Sequence, residues 1–489
     1  MDSLSHILLE QAQERPDKTA VFTANGTLSF AELEDLVSRC VTLFRDQGAT
    51  RHEICGLAIS DPLCILIAWL ALSRIRIGVI CLPPNQTQEQ AAQLIKACSL
   101  GAVVSNKPAM QGNPQLIHVS LTQINGARLP GSQDTETGSG DIEHIVIGSG
   151  STGKPKLLAY QFGVAKAQVS ASARVDNYRE EDVIFSYVSL HFGTPFIFYM
   201  MAFSAGAAIV LENQHGMDSF EVTERYGVTV SYATVYHAEL LISLARKYGR
   251  RFETMRLFEI SASVVTDALV KRLKESLTEH VVITYDSNEC FPVAMLDTAC
   301  EERPPGSVGR AIPGADLQIV DDQGDILPAN HPGRVRMRNP WMMDRYFGEP
   351  QATRDVLQDG WFYPGDVGEL NDDGHLILLG RSDHMMIFDG VNIYPAEIER
   401  IMAEHPAVID VAVMPMQDPI HQDVPICAIT LHAGQAEEEA GLLTYGRNRL
   451  GARAPQAVFV LETIPRNQLG KLVRKELAEI LSERLKTYQ

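Results

Sequence analysis

The stretch Ile145-Val-Ile-Gly-Ser-Gly-Ser-Thr-Gly-Lys-Pro-Lys156 joins a short apolar, β-forming run to a loop of three glycines and three hydroxyl residues. Such a loop exposes many backbone N–H donors and wraps phosphate oxygens. Ser149, Gly150, Ser151, Thr152 and Gly153 form the cradle, and Lys154 and Lys156 supply positive charge. Gly148 through Lys154 satisfies G-x-x-x-x-G-K, the opening of a P-loop. A P-loop would continue with Ser or Thr, whose hydroxyl binds Mg²⁺ as a helix begins. Here the next residue is Pro155, which lacks a hydroxyl and biases the residue before it away from helix. A P-loop NTPase is therefore disfavoured. On these residues alone, a plain Gly/Ser surface loop remains the alternative.

Outward from this loop the chain alternates strand and helix patterns. Near the start, Thr19–Phe22 and Thr27–Phe30 flank Asn25-Gly26, a pair that readily takes the positive φ angles of a type I′ turn. Ser29 and Glu32 then form a capping-box pattern ahead of the apolar-periodic Leu33 to Phe44. Ile54–Ile59, Gly78–Leu82 and Ala102–Val104 read as strands, with helices over Leu63–Leu72 and Ala91–Cys98. A second series follows. Val183–Val188, Ala208–Leu211, Val228–Ala233, Arg256–Ile260 and Val281–Tyr285 are β-rich, with helices over Ser219–Tyr226, Ala238–Lys247 and Asp267–Ser276 between them. Two βα series predict an α/β protein with two stacked, largely parallel sheets. Pro305 to Leu379 turns Gly- and Pro-rich and predicts a β-rich subdomain, and an α+β segment follows Asp383. The division expected is a large N-terminal domain, 1–382, and a small mobile C-terminal domain, 383–489.

The 489 residues exceed what one hydrophobic core organises, about 250–300. Acidic residues outnumber basic ones 61 to 42, a surplus that repels nucleic acid and anionic lipid and leaves room for a local basic pocket. The apolar run Phe196 to Leu211 is interrupted by Ser204 and Gly206 and is too short to span a membrane. The first fifteen residues carry Asp2, Glu10 and Glu14 in place of a basic start and apolar centre, so no secretory signal is expected. Eight scattered cysteines without a C-x-x-C pair suggest neither zinc site nor disulfide framework. The expectation is a reduced, cytoplasmic protein.

The glycine-rich segment resembles the phosphate loop of the adenylate-forming (ANL) superfamily. That family holds acyl- and aryl-CoA ligases, stand-alone adenylation enzymes of peptide and polyketide pathways, and luciferases. Further motifs follow in the family's order over essentially the whole chain. Tyr285-Asp-Ser-Asn-Glu289 resembles the family's Tyr-Gly-x-Thr-Glu. The resemblance implies that Tyr285 stacks on adenine, that Asp286, Ser287 and Asn288 line the nucleotide, and that Glu289 holds Mg²⁺. Trp361-Phe-Tyr-Pro-Gly-Asp366 matches the motif whose aspartate grips the ribose hydroxyls. Gly380-Arg-Ser-Asp383 matches the domain junction, with Arg381 on ribose or phosphate and Asp383 as pivot. Met386 to Glu399 is similar to the head of the family's C-terminal domain. Pro465-Arg-Asn-Gln-Leu-Gly-Lys471, with Arg474, resembles the motif presenting the catalytic lysine.

By this resemblance the cofactors are ATP and Mg²⁺, and the partner is a small carboxylic acid. Lys471, Thr152 and Glu289 would carry the chemistry of acyl-adenylate formation. The second step would deliver the acyl group to coenzyme A, or to the phosphopantetheine thiol of an acyl carrier protein in a secondary-metabolite pathway. A nucleotide-binding homologue that has lost its activity is a further alternative.

Several positions depart from the pattern. Asp286 replaces the motif glycine and Asn288 the threonine. Ser261-Ala262-Ser263 stands where Gly-Gly or Gly-Ala lies beside adenine, and Ile387 where many relatives place lysine. The segment implied to shape the acyl pocket reads Ser189-Leu-His-Phe-Gly-Thr-Pro195. Amino-acid-activating relatives carry an aspartate at or beside Phe192, so an ordinary amino acid is not expected. His191, Phe192, Gly193, Tyr232 and Ser261 would line a pocket for an aryl or short-to-medium aliphatic acid. Arg246, Lys247, Arg250 and Arg251 form a basic cluster able to meet the phosphate of coenzyme A or a carrier protein, or neither.

Overall fold

The computed structural model describes residues 3–83, 86–106, 114–131, 137–148, 156–211, 218–418, 420–432, 434–467 and 470–488. The loop residues Ser149 through Pro155, including Thr152 and Lys154, lie outside them.

The two βα series form the two large sheets expected of them. In the first, strands Ile54–Ala58, Gly78–Cys81, Ala102–Ser105 and Gln115–His118 join Ile142–Gly148 in parallel, and Lys156–Gln161 and Arg345–Tyr346 add antiparallel edges. The second runs parallel through Thr19–Thr23, Ala208–Leu211, Val183–Ser186, Val230–Thr234, Leu257–Ser261 and Val281–Ser287. Cys290–Asp297 and Arg310–Ala311 extend it antiparallel.

What holds the sheets together is a layer of helices buried between them. Asp61 caps Pro62–Arg74 by accepting from Cys64 N at 2.7 Å, and Pro62 fits the first turn, where no N–H is needed. This helix is apolar on all sides, and so is Thr194–Ser204. Trp69 stacks on Phe196 at 3.9 Å where the two meet. The run Phe196 to Leu211 is thus a buried helix followed by a buried strand in the interior of the second sheet. Helices Ser219–Arg225, Val235–Tyr248 and Asp267–Ser276 cover the outer face of the second sheet, and Gln88–Ala97 covers that of the first.

Ser29 and Glu32 make the expected capping box at the head of Phe30–Asp46. The hairpin before it closes differently from the expectation. Thr23 pairs with Gly26, so Ala24 and Asn25 form the loop, and of Asn25-Gly26 only Gly26 has a positive φ, +133°. A type I′ turn would need positive φ at both central residues. The 12-residue helix Val164–Val175 and the four-residue strand Gln115–His118 were not expected.

The Gly- and Pro-rich stretch forms a six-stranded antiparallel sheet ending in Leu376–Arg381. Ser382–His384 is a single tight turn, after which Met386–Phe388 enters a five-stranded sheet. Helices Pro395–Ala403 and Glu439–Leu450 pack on one face of that sheet, and Arg474–Tyr488 packs on the other. None of the eight cysteines is in a disulfide, and among the described residues no helix is long and apolar enough to cross a membrane.

Candidate active site

Strands that run parallel end on the same side, and their C-terminal ends leave a crevice where the sheet meets its neighbours. Here Val230–Thr234, Leu257–Ser261 and Val281–Ser287 end together. Along the last strand, side chains alternate. Val281 and Ile283 pack beneath the outer helices, and Tyr285 joins the core of the six-stranded subdomain.

Tyr285 is buried, and its hydroxyl donates to Asp366 Oδ2 at 2.6 Å. Arg381 Nη1 stands 3.5 Å from the other Asp366 oxygen and donates to Pro364 O at 2.9 Å. Its Nε and Nη2 donate to Asp383 at 2.8 and 3.1 Å. Burial raises the Asp366 pKa, against the opposing Tyr285 bond and Arg381 charge. For Asp383 burial pushes upward, but the Arg381 guanidinium prevails and holds the carboxyl below its ordinary value. Gly365 makes this packing possible: its φ is +84°, and a Cβ there would come within 3.0 Å of Arg381 Nη2. The structure thus joins four of the expected residues, Tyr285, Asp366, Arg381 and Asp383, in one chain of contacts.

Glu289 accepts from the Tyr346 hydroxyl at 2.7 Å, and Lys156 Nζ lies 4.8 Å from the centre of the Tyr346 ring. Lys156 opens the strand that leaves the glycine-rich loop, so the loop's end and Glu289 are held together by one tyrosine. Asn288 Oδ1 faces the Thr194 hydroxyl at 3.4 Å, and its carbonyl accepts from Tyr160. The Ser287 hydroxyl is buried with no hydrogen-bond partner.

Lys471 comes from the C-terminal unit, in a turn closed by pairing of Arg466 with Leu472. Arg466 pairs with Asp410 through two bonds, 2.7 and 2.8 Å, and donates to Gly470 O at 3.0 Å. Asn467 Oδ1 accepts from Lys471 N at 3.0 Å, and Asn467 N donates to Lys471 O at 2.8 Å. Gly470, at φ +77°, presses on Tyr236 of the helix Val235–Tyr248, where a Cβ would meet Tyr236 Cβ at 2.7 Å. Lys471 is half-buried. Desolvation lowers its pKa, Glu289 and Asp286 oppose that, and Arg381 reinforces it. Arg474 Nη2 lies 3.2 Å from His384 Nδ1, beside the pivot.

The expected acyl-pocket residues divide. Tyr232 OH and Ser261 Oγ lie 3.1 Å apart, and Phe198 stacks on the Tyr232 ring at 4.4 Å. His191 is tied on both sides: Nε2 donates to Ile59 O at 2.7 Å, and Nδ1 faces Ser189 Oγ at 3.0 Å. Burial lowers its pKa, so it braces the segment as a neutral ring. Phe192 packs on the inter-sheet core, and Gly193 turns into the next helix at φ +81°. Ala262 and Ser263 are exposed, Ala262 at φ +70°. Of the basic cluster, Arg250 pairs with Glu224 and Arg251 with Glu279.

Tyr346, Asp410, Tyr236 and Phe198 were not foreseen as parts of the site. Each is far in sequence from the residue it supports, and only Gly365 and Gly470 left a local signal, as glycines inside their motifs.

Asp286 alternates away from Tyr285, and its charge acts on Asp176 and Glu259. Burial raises Asp286 and Asp176 to about 7 each, and the buried Glu143 to about 8. Such a group, once folded, holds a proton that the unfolded chain has already released. Stability is therefore greatest at low pH and is lost as pH climbs from the ordinary carboxylate range, ~4, through these values. The melting temperature is expected to be higher near pH ~6 than near pH ~9. Glu143→Gln should flatten that slope; a melting temperature that rises with pH would contradict it.

A sequence profile of the AMP-binding enzyme family matches residues 8–347, and that of the AMP-binding enzyme C-terminal domain matches residues 397–471. The chain is 27% identical to an indoleacetate–CoA ligase of Aromatoleum aromaticum, over 98% of each chain. It is 25% identical to a 2-succinylbenzoate–CoA ligase of Bacillus cytotoxicus, over 99% of this chain and 100% of the relative. Among solved structures, it is similar to the O-succinylbenzoate coenzyme A synthetase of Bacillus subtilis in complex with AMP. That match has a TM-score of 0.83 and 22% identity over 96% of this chain and 97% of the other. An anthranilate CoA ligase in complex with anthranoyl-AMP gives a TM-score of 0.87 at 20% identity, over 98% of this chain and 97% of the other. Both structural likenesses are likenesses of fold.

Proposed function

The chain belongs to the AMP-binding enzyme family, and from that we propose that it uses ATP to convert a carboxylic acid to its acyl-adenylate, then passes the acyl group to the thiol of coenzyme A. The observation that carries this reading is the packing of Gly470 on Tyr236, which brings the turn that bears Lys471 against the large domain, within the fields of Glu289 and Asp286. A lysine brought from a separate small unit toward the strand-end carboxylates suits a reaction in which negative charge develops.

A carboxylate acylates poorly because its leaving group would be oxide. Attack by its oxygen on the α-phosphorus of ATP replaces that leaving group with AMP and expels pyrophosphate. Lys471, held by Arg466 and Asn467, stabilises the charge on the carboxylate and α-phosphate oxygens as the bond forms. Asp366 accepts the ribose hydroxyls, the charge-assisted kind of bond, and its contacts with Tyr285 and Arg381 fix its orientation. Thr152 and the loop amides bind the outgoing phosphates. Glu289, with one tyrosine hydroxyl as partner, fits Mg²⁺, which takes one or two carboxylates beside phosphate oxygens and water; when bound, the ion neutralises the pyrophosphate. Transfer to the thiol follows a swing of the C-terminal unit about Asp383, which withdraws Lys471. Tyr232, Ser261 and Phe198 give the acyl pocket an aromatic wall, favouring an aryl or short-to-medium aliphatic acid.

The test is pyrophosphate release from Mg-ATP across aryl, short, medium and long aliphatic acids, with and without coenzyme A. Acid-dependent release, accelerated by coenzyme A, is expected. Release that stalls near one turnover and ignores coenzyme A would indicate a carrier-protein thiol. No release with any acid would make this chain a homologue without the activity.

A further inference from the structure

One face of the second large sheet carries more acid than the adenylation chemistry uses. Glu259 pairs in register with Tyr232 on one side and Val282 on the other. Thr284 donates to Glu259 Oε1 at 3.0 Å, and Tyr232 and Ser261 join across the neighbouring strands at 3.1 Å. These side chains therefore share a face, and Asp286, two residues beyond Thr284, continues it to the end of the strand. Asp176, buried just past the end of Val164–Val175, lies within the electrostatic reach of Glu259 and Asp286.

Glu259 is 1% exposed and Asp176 7%. Among the described residues none of the three carboxyls is in an ion pair, and Glu259 Oε2 has no hydrogen-bond partner. The cation whose field reaches Asp286 is Lys471, which the first half-reaction occupies. A buried carboxyl without a partner is costly unless it keeps its proton or a ligand brings the missing positive charge. The second outcome fits this place, because the face runs out at Asp286, which is only partly buried where the strand ends. Asp286 also stands where the family's motif has glycine, so this chain adds a carboxyl at that point.

We propose that the acid activated here carries a protonated amino group on its tail, and that Asp286, backed by Glu259 and Asp176, is the counter-ion that selects it. This rests on the adenylating reading above and names the class of acid. An amine so placed gains charge-assisted hydrogen bonds that an isosteric alkyl group lacks, and the alkyl analogue would leave the carboxyls unpaired.

The experiment compares acids matched in size, by pyrophosphate release from Mg-ATP: 3-aminobutanoate against 3-methylbutanoate, and 3-(aminomethyl)benzoate against 3-ethylbenzoate. In at least one pair the amine is expected to be preferred in kcat/KM by about tenfold or more, the worth of one hydrogen bond to a charged group. Asp286→Asn should collapse that ratio, and Glu259→Gln should reduce it. Preference for the alkyl member in both pairs overturns the proposal and leaves adenylation standing, and this comparison needs only the unaltered enzyme. A preference that survives Asp286→Asn also overturns it. Release with none of these acids, nor with any in the wider panel, overturns both readings.

Discussion

Lys471→Ala is expected to lower acid-dependent pyrophosphate release by about 10²–10³-fold, the usual effect of removing one group aimed at developing charge. The loss should fall on one half-reaction only. A chemically prepared acyl-adenylate has already passed the step that needs the ammonium, so its consumption by coenzyme A should continue in the variant. The geometry motivates the split. Lys471 is delivered by a turn braced internally by Arg466 and Asn467, and that turn packs against the five-stranded sheet of the C-terminal unit, not on the sheet that carries Tyr285. Stopped-flow or single-turnover measurements on the two half-reactions would settle it. Equal loss of both would mean that Lys471 holds the fold or the nucleotide and does not serve adenylation.

Gly470→Ala is expected to produce a similar defect without touching the ammonium group. The added Cβ would stand 2.7 Å from Tyr236 Cβ, an atom fixed to the backbone, and φ +77° is itself unfavourable for alanine. The turn must shift by a fraction of an ångström or more, and displacement on that scale costs adenylation about 10²-fold. The second half-reaction should be spared. Combining the change with Tyr236→Gly removes the opposing atom, so the double variant should recover part of the lost rate. Failure of that rescue, with a normal melting temperature, would assign the defect to the turn's own conformation and not to its seat on the helix Val235–Tyr248.

Much of this protein can be read locally. The capping box at Ser29 and Glu32, the proline at the start of Pro62–Arg74 and the β-rich runs all act through neighbours within a few residues, so their signals survive in the chain. The same holds for the motif residues Tyr285, Glu289, Asp366, Arg381 and Lys471, whose flanking glycines and prolines mark them. Where local patterning was ambiguous the reading was less accurate: Asn25-Gly26 was expected to turn the hairpin, and cross-strand pairing placed the loop one residue earlier.

Pairings across long separations had no such signal. Tyr346 on Glu289, Tyr236 against Gly470 and Phe198 on Tyr232 join segments that meet only when layers stack or the two units dock, and Asp410 meets Arg466 only once the C-terminal unit has folded. The acid face is the clearest case. Asp176 and Glu259 are unremarkable along the chain, and Asp286 reads there as a motif residue beside the nucleotide that departs from the family's glycine. Strand register sets Glu259 beside Tyr232, the end of one helix brings in Asp176, and burial removes the water that would otherwise screen them. Spacing and residue type were enough to indicate the chemistry; the buried face of carboxyls on which the proposed class of acid rests came from parallel strands that bring distant residues side by side.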